Sequence, residues 1–123
     1  MSNIKVLIIE DDADISELEE MILVPENFDV RIVADPLLAI NVARDFLPDV
    51  ILLDLNLPRL SGWELYDIFR SDAYFSSTPI AIVTASDEGI DKMVGMMKNT
   101  DAYITKPFGR RQLLDTVNKL SSR

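Results

Sequence analysis

Two hydrophobic periods alternate along the chain. Short runs rich in Ile, Leu and Val occupy Ile4–Ile9, Phe28–Val33, Val50–Leu53, Ile80–Val83 and Ala102–Ile104. Val6-Leu7-Ile8-Ile9 and Val50-Ile51-Leu52-Leu53 contain no polar position, the signature of strands covered on both faces, as in a parallel sheet. Segments of helical spacing lie between them. The first is expected over about Ala13–Val24, with Ile15, Leu18 and Ile22 on one stripe, Asp14 and Glu17 in the first turn, and Pro25 as the stop. The second opens at Asp35-Pro36, a cap followed by proline, and sets Leu38, Val42 and Phe46 on one face. The third begins near Ser61-Gly62 and carries Leu65, Ile68 and Phe69. The fourth follows Ser86-Asp87-Glu88, and its spacing predicts a buried face of Ile90, Met93, Val94 and Met97. The fifth follows Gly109 and carries Leu113, Leu114, Val117 and Leu120. Strands alternating with helices predict a (βα)₅ α/β domain, a doubly wound parallel sheet with helices on both faces. In such sheets, sites form beyond the carboxyl ends of the strands.

Composition narrows the chemistry. A chain of 123 residues suits one domain, expected to span 1–123 and to end just past the last helix. It has no Cys, hence no disulfide, thiolate nucleophile or zinc–sulfur site. It has no His, hence no imidazole base and no phosphohistidine of its own. Any metal must sit on oxygen ligands, which favours Mg²⁺, Mn²⁺ or Ca²⁺. The net charge of −9 argues against nucleic-acid binding. No apolar run approaches ~20 residues and no signal-peptide order is present, so the expectation is a soluble, cytoplasmic protein. Charge is uneven. Residues 1–75 hold 16 acids and 5 bases, net −11, whereas residues 76–123 hold 5 acids and 7 bases, net +2. The last two helices could therefore present a less acidic face to a partner.

Polar residues gather at the predicted strand ends. Glu10, Asp11 and Asp12 follow the first strand, Asp54 the third, Thr84 the fourth, and Lys106-Pro107 the fifth. Carboxylates ~4 Å apart repel by about 4 kcal/mol at an effective dielectric near 20, so such a group needs a cation or shared protons. A hard divalent ion, an ammonium and a hydroxyl beside a carboxylate form a phosphoryl-transfer site in outline. Taken singly, each residue has a plainer use: Asp12 and Asp14 suit a helix cap, and a lone Thr or Lys-Pro suits a loop.

The order and spacing of these residues resemble the receiver domain of bacterial two-component response regulators. The likeness rests on Val6-Leu7-Ile8-Ile9-Glu10-Asp11-Asp12, Val50-Ile51-Leu52-Leu53-Asp54-Leu55-Asn56-Leu57-Pro58, Ile82-Val83-Thr84-Ala85 and Asp101-Ala102-Tyr103-Ile104-Thr105-Lys106-Pro107-Phe108. The intervals of 30 residues from Asp54 to Thr84 and 22 from Thr84 to Lys106 also match. The resemblance implies a flavodoxin-like sheet of order 2-1-3-4-5. It implies that Asp54 accepts the phosphoryl group, and that Glu10, Asp11, Asp54 and the main-chain carbonyl of Asn56 hold Mg²⁺, Asp11 directly and Glu10 through water. It further implies that Lys106 pairs with Asp54 and then with the phosphoryl group, that Thr84 donates to it, that Tyr103 is the switch aromatic, and that the Lys106–Pro107 bond is cis. Asn56 and Ser86 would flank the path of the hydrolytic water. The implied partners are a histidine kinase or phosphotransfer protein as donor and a downstream protein target. The implied assembly is a monomer or a weak dimer through the fourth helix, fifth strand and fifth helix. Such a switch is not a conventional enzyme; it catalyses its own phosphorylation and dephosphorylation.

Departures are few. Glu10 stands where an Asp is common, and Asn99-Thr100 replaces a small pair. Gly109 is a weak cap, and Arg110 and Arg111 sit unfavourably in the first turn of the last helix, which suggests a partner contact. Three rivals share parts of the pattern: a phosphate-independent receiver-like binding module, a small aspartyl phosphatase, and a flavin carrier. The second lacks room for a cap domain. The third lacks a phosphate-cradling loop after the first strand.

Overall fold

A computed structural model of the chain describes residues 3–85 and 89–122. The strands are β1 (Ile4–Ile9), β2 (Phe28–Val33), β3 (Val50–Leu53), β4 (Ile80–Thr84) and β5 (Ala102–Thr105). The helices are α1 (Ala13–Leu23), α2 (Ala39–Phe46), α3 (Gly62–Ser71), α4 (Gly89–Met97) and α5 (Arg110–Ser121). All strand pairs are parallel, in the order β2-β1-β3-β4-β5. This is the flavodoxin-like α/β arrangement expected from the alternating periods. β1 and β3 sit inside the sheet, which is why Val6–Ile9 and Val50–Leu53 carry no polar residue. At the edge, β2 shows buried ends around a partly exposed middle.

Side-chain alternation sorts the core into two layers. On one face Leu7, Ile9, Ile51, Leu53, Ile80 and Ile82 meet α2 and α3 through Ala39, Ala43, Phe46, Leu65, Tyr66 and Phe69. On the other, Val6, Ile8, Val50, Leu52, Ala81, Val83 and Ile104 meet α1 and α5 through Ile22, Leu23, Leu113, Leu114, Val117 and Leu120. The helices that follow β1 and β3, α1 and α3, therefore leave the sheet on opposite sides, and a crevice opens between their loops.

Several helix faces are rotated from the expected ones. In α1 the inward residues are Ser16, Glu19, Ile22 and Leu23, while Leu18 is exposed. That helix stops at Leu23, and Pro25 lies within a 3₁₀ turn over Val24–Glu26 instead of directly ending it. The Asp35 cap opens a second 3₁₀ turn, Pro36–Leu38, so Leu38 is exposed and Ala39, Ala43 and Phe46 form the face of α2. Tyr66 replaces Ile68 in the buried set of α3. The largest departure is α4: Ile90, Met93 and Met97, expected inside, are 61–79 % exposed, and Gly95 is its buried residue. The expected start of that helix at Ser86-Asp87-Glu88, and the position of Ser86, lie outside the described residues. For α5 the expected face and the bare Gly109 cap are both present.

Candidate functional site

Backbone hydrogen bonds at the carboxyl edge of the sheet fix where the polar residues begin. Glu10 N–H donates to Val33 O (3.2 Å), Asp54 N–H to Ile9 O (3.1 Å) and Lys106 N–H to Thr84 O (2.8 Å). The main chain of each residue is thus locked to a neighbouring strand. Asp54 gains a further brace from α3. Gly62, the first residue of that helix, donates its N–H to Leu55 O (3.0 Å). A Cβ on Gly62 would come within 2.4 Å of Asp54 O and 2.5 Å of Leu55 Cα. Glycine is required here by close approach.

The side chains then converge. Each of Glu10, Asp11 and Asp54 offers a carboxylate oxygen within 4.8 Å of the others. Glu10 and Asp54 are 2 % and 5 % exposed, whereas Asp11 is open to solvent. Lys106 Nζ reaches into the group, donating to Glu10 Oε1 (2.5 Å) and Asp54 Oδ2 (3.3 Å). Two backbone donors complete it: Asp12 N–H to Glu10 Oε2 (3.2 Å) and Asn56 N–H to Asp54 Oδ1 (3.2 Å). Thr84 is fully buried at the end of β4, and Tyr103 is half-buried on β5. The Lys106–Pro107 bond is cis.

Electrostatics follow from this crowding. Burial lifts the Glu10 carboxyl from its ordinary 4.5 to about 7; the Lys106 hydrogen bond opposes the rise and the neighbouring Asp54 adds to it. For Lys106, burial acts to lower the ammonium, but the Glu10 hydrogen bond and the charges of Asp54 and Glu10 outweigh it, so its proton is held more tightly than usual. The donors are all hard oxygens, and one ammonium faces three carboxylates. The arrangement fits a divalent cation of the Mg²⁺ kind.

Asp12 serves α1 as its cap, accepting from Asp14 N (2.9 Å) and Ile15 N (3.4 Å), as its plainer reading had it. Arg110 pairs with Glu26 (2.6 Å) within the chain. Two features near the site went unnoticed in the sequence. Glu19 on α1 is 1 % exposed, and its Oε2 has no hydrogen-bond partner. The signal existed, because Glu19 lies i+4 from Ile15 and i−4 from Leu23 on one helical stripe. Arg59, in the loop after β3, adopts a left-handed φ of 66° and pairs with Asp35. No residue pattern marks it.

A family model described as "Response regulator receiver domain" matches residues 6–118. The chain belongs to that family. The receiver domain is 34 % identical over 113 residues to the DNA-binding response regulator MtrA of Mycobacterium tuberculosis, covering 92 % of this chain and 48 % of the relative. It is 31 % identical over 114 residues to protein PilG of Pseudomonas aeruginosa, covering 93 % and 84 %. This receiver domain thus spans about half the length of the first curated relatives it matches. Among solved structures, it is similar to the receiver domain of Francisella response regulator 1452 (31 % identity, TM-score 0.89, covering 98 % of each chain). It is also similar to chemotaxis protein CheY4 of Vibrio cholerae (27 % identity, TM-score 0.88, covering 96 % of this chain and 98 % of that one). No helix among the described residues is long and apolar enough to cross a membrane.

Proposed function

We propose that the chain is a phosphoacceptor switch whose receiver domain spans residues 1–123 and takes a phosphoryl group onto Asp54. One observation carries the reading: a buried carboxylate, fixed at the end of β3, lies within 3.3 Å of an ammonium and beside two further carboxylates. Burial restricts solvent around the nucleophile, and the sheet holds its direction. One Asp54 oxygen attacks phosphorus in line, so that an O–P bond forms as the donor's P–N bond breaks. The electron pair of that bond goes to an imidazole nitrogen of a phosphohistidine, which is then protonated. The chain has no His of its own, so the donor is another protein, a histidine kinase or phosphotransfer protein; small acyl phosphates substitute for it.

Glu10, Asp11, Asp54 and the Asn56 carbonyl would hold Mg²⁺, Asp11 directly and Glu10 through water. Bound there, the ion supplies Lewis-acid neutralisation of charge on the phosphoryl oxygens. Lys106 supplies the second positive charge, transferring from Asp54 to the phosphoryl group. Thr84 donates its hydroxyl to a phosphoryl oxygen, and Tyr103 turns inward as Thr84 moves. The surface of α4, β5 and α5 then changes, a population shift that a downstream protein detects. Attack by water resets the switch. We further infer a cytoplasmic protein, monomeric or weakly dimeric through that surface. It is neither a conventional enzyme nor a direct nucleic-acid binder.

Incubation with Mg²⁺ and acetyl phosphate, followed by intact and peptide mass measurement, tests the reading. The expected result is one labile adduct on Asp54, absent from Asp54→Asn. An unmodified wild-type protein, or an Asp54→Asn variant modified as fully as wild type, overturns it and favours the phosphate-independent binding module.

A further inference from the structure

Arg59 breaks a local rule. A non-glycine residue at φ 66° is strained, and glycine would take the same turn without cost. Strain of this kind is a reason to look for a role. Its guanidinium reaches Asp35 Oδ1 at 2.7 Å. Asp35 follows β2 and Arg59 follows β3, and β1 lies between those strands. The pair therefore spans two strand spacings, roughly 10 Å, past the carboxyl end of β1. Glu10 and Asp11 emerge from that end. Both loops lead to helices on the same sheet face, since Ala39 of α2 and Leu65 of α3 share one core layer. The bridge thus borders the acidic crevice on its α2–α3 side.

The two partners are not equally fixed. Asp35 Oδ1 also accepts the Leu37 N–H (3.0 Å), so the carboxylate is held by its capping duty. The Arg59 side chain is 58 % exposed. It is the exchangeable member of a weak surface pair. Inside the crevice, Lys106 is already committed to Glu10 and Asp54. An incoming phosphoryl dianion therefore approaches past Asp11, Asp12 and Asp14, all exposed.

We propose that Arg59 is a positioning residue for the donor: it leaves Asp35 to pair with the phosphoryl oxygens at the mouth of the crevice. Its strained backbone keeps the guanidinium at that rim. The proposal rests on phosphoryl transfer to Asp54 and adds the group that captures the dianion beforehand. The same dianion arrives on small acyl phosphates and on phosphohistidine, and two probes separate these sources.

The test measures phosphorylation rate against concentration for acetyl phosphate and for phosphoimidazole, in saturating Mg²⁺, on the full chain. Arg59→Gly accepts the turn, so folding is not in question. Its half-saturating concentration should rise about threefold for both donors, the size an exposed ion pair supplies, with the maximal rate within twofold of wild type. Arg59→Lys should recover part of the loss. Asp35→Asn keeps the cap but frees Arg59, and should lower half-saturation. The wild-type value should rise with ionic strength more steeply than that of Arg59→Gly. Unchanged half-saturation in Arg59→Gly, a fall confined to the maximal rate, or an effect on acetyl phosphate alone overturns the proposal while Asp54 still labels. No labelling of wild type by either donor removes the underlying reading, and the proposal with it.

Discussion

Single residues near the crevice are held under opposed demands. Glu19 shows this most directly, because a carboxyl with one unpartnered oxygen lies inside α1. Burial lifts it from 4.5 to about 8, and the charge of Glu10 adds to the rise. The folded state then binds a proton that the unfolded state has released between those values. Its contribution is complete below pH 4.5 and is lost as pH rises toward 8. Glu19→Gln should therefore raise stability at pH 7 by about 1–3 kcal/mol and change little at pH 4.5, as read from urea midpoints. Glu10 titrates with the same sign in metal-free buffer, so the variant should flatten the wild-type slope without abolishing it. Gly62 is constrained by space instead. Its added Cβ would meet the Asp54 carbonyl at 2.4 Å, against backbone that β3 fixes. Gly62→Ala should cost about 1–3 kcal/mol by thermal or urea unfolding and slow labelling of Asp54 in the same protein.

Among the elements, α4 and α5 look alike in sequence and differ in how they are held. Each carries apolar residues at helical spacing, but α5 buries Leu113, Leu114, Val117 and Leu120, while α4 leaves Ile90, Met93, Met96 and Met97 exposed. Polar contacts from α3 secure α4 and Lys98, the residue just past its end, instead. Trp63 Nε1 donates to Asp91 Oδ1 (3.4 Å), Tyr66 Oη to Lys98 O (3.2 Å), and Lys98 Nζ to Asp67 Oδ1 (2.7 Å). Leu113→Ala should cost about 2–5 kcal/mol, whereas Met96→Gln should stay within about 0.5 kcal/mol. In native-state hydrogen exchange, α4 amides should open well below the free energy that opens α5. This contrast marks the limit of what the sequence tells. Strands such as Val50–Leu53 were legible because burial on both faces removes every polar position. The convergence of Glu10, Asp54 and Lys106 was legible because each directly follows a strand of the sheet. Helix faces were not, because a stripe of period 3.6 names candidates for burial without naming a partner. In α4 the pattern is present with little opposite it. In α1 the true stripe runs through Glu19, which an apolar reading passes over. Arg59 escaped because a left-handed turn has no signature in a residue that rarely adopts one.

For the whole molecule, the deciding quantity is how the fold tolerates Glu10, Asp11 and Asp54 together. Their oxygens lie within 4.8 Å of one another, and at ~4 Å each unscreened pair repels by about 4 kcal/mol at an effective dielectric near 20. Lys106 compensates in part, by pairing with Glu10 and Asp54. This crowding opposes folding at the point where two core layers and three strands meet, and a dication bound as proposed would relieve a cost borne by the entire domain. Ligand that binds only the folded state stabilises by mass action, about 2.7 kcal/mol at one hundred times Kd. For a domain of this size that is an increase of roughly 10 °C in Tm. Adding MgCl₂ should raise Tm progressively, and NaCl at matched ionic strength should not reproduce the rise. Asp11→Asn removes one repelling charge and one ligand at once, so the two effects separate in a single variant. Its metal-free Tm should equal or exceed that of wild type, and its response to Mg²⁺ should be largely lost. A variant with lower metal-free Tm and an intact response would mean that Asp11 stabilises the apo fold and lies outside the cation site.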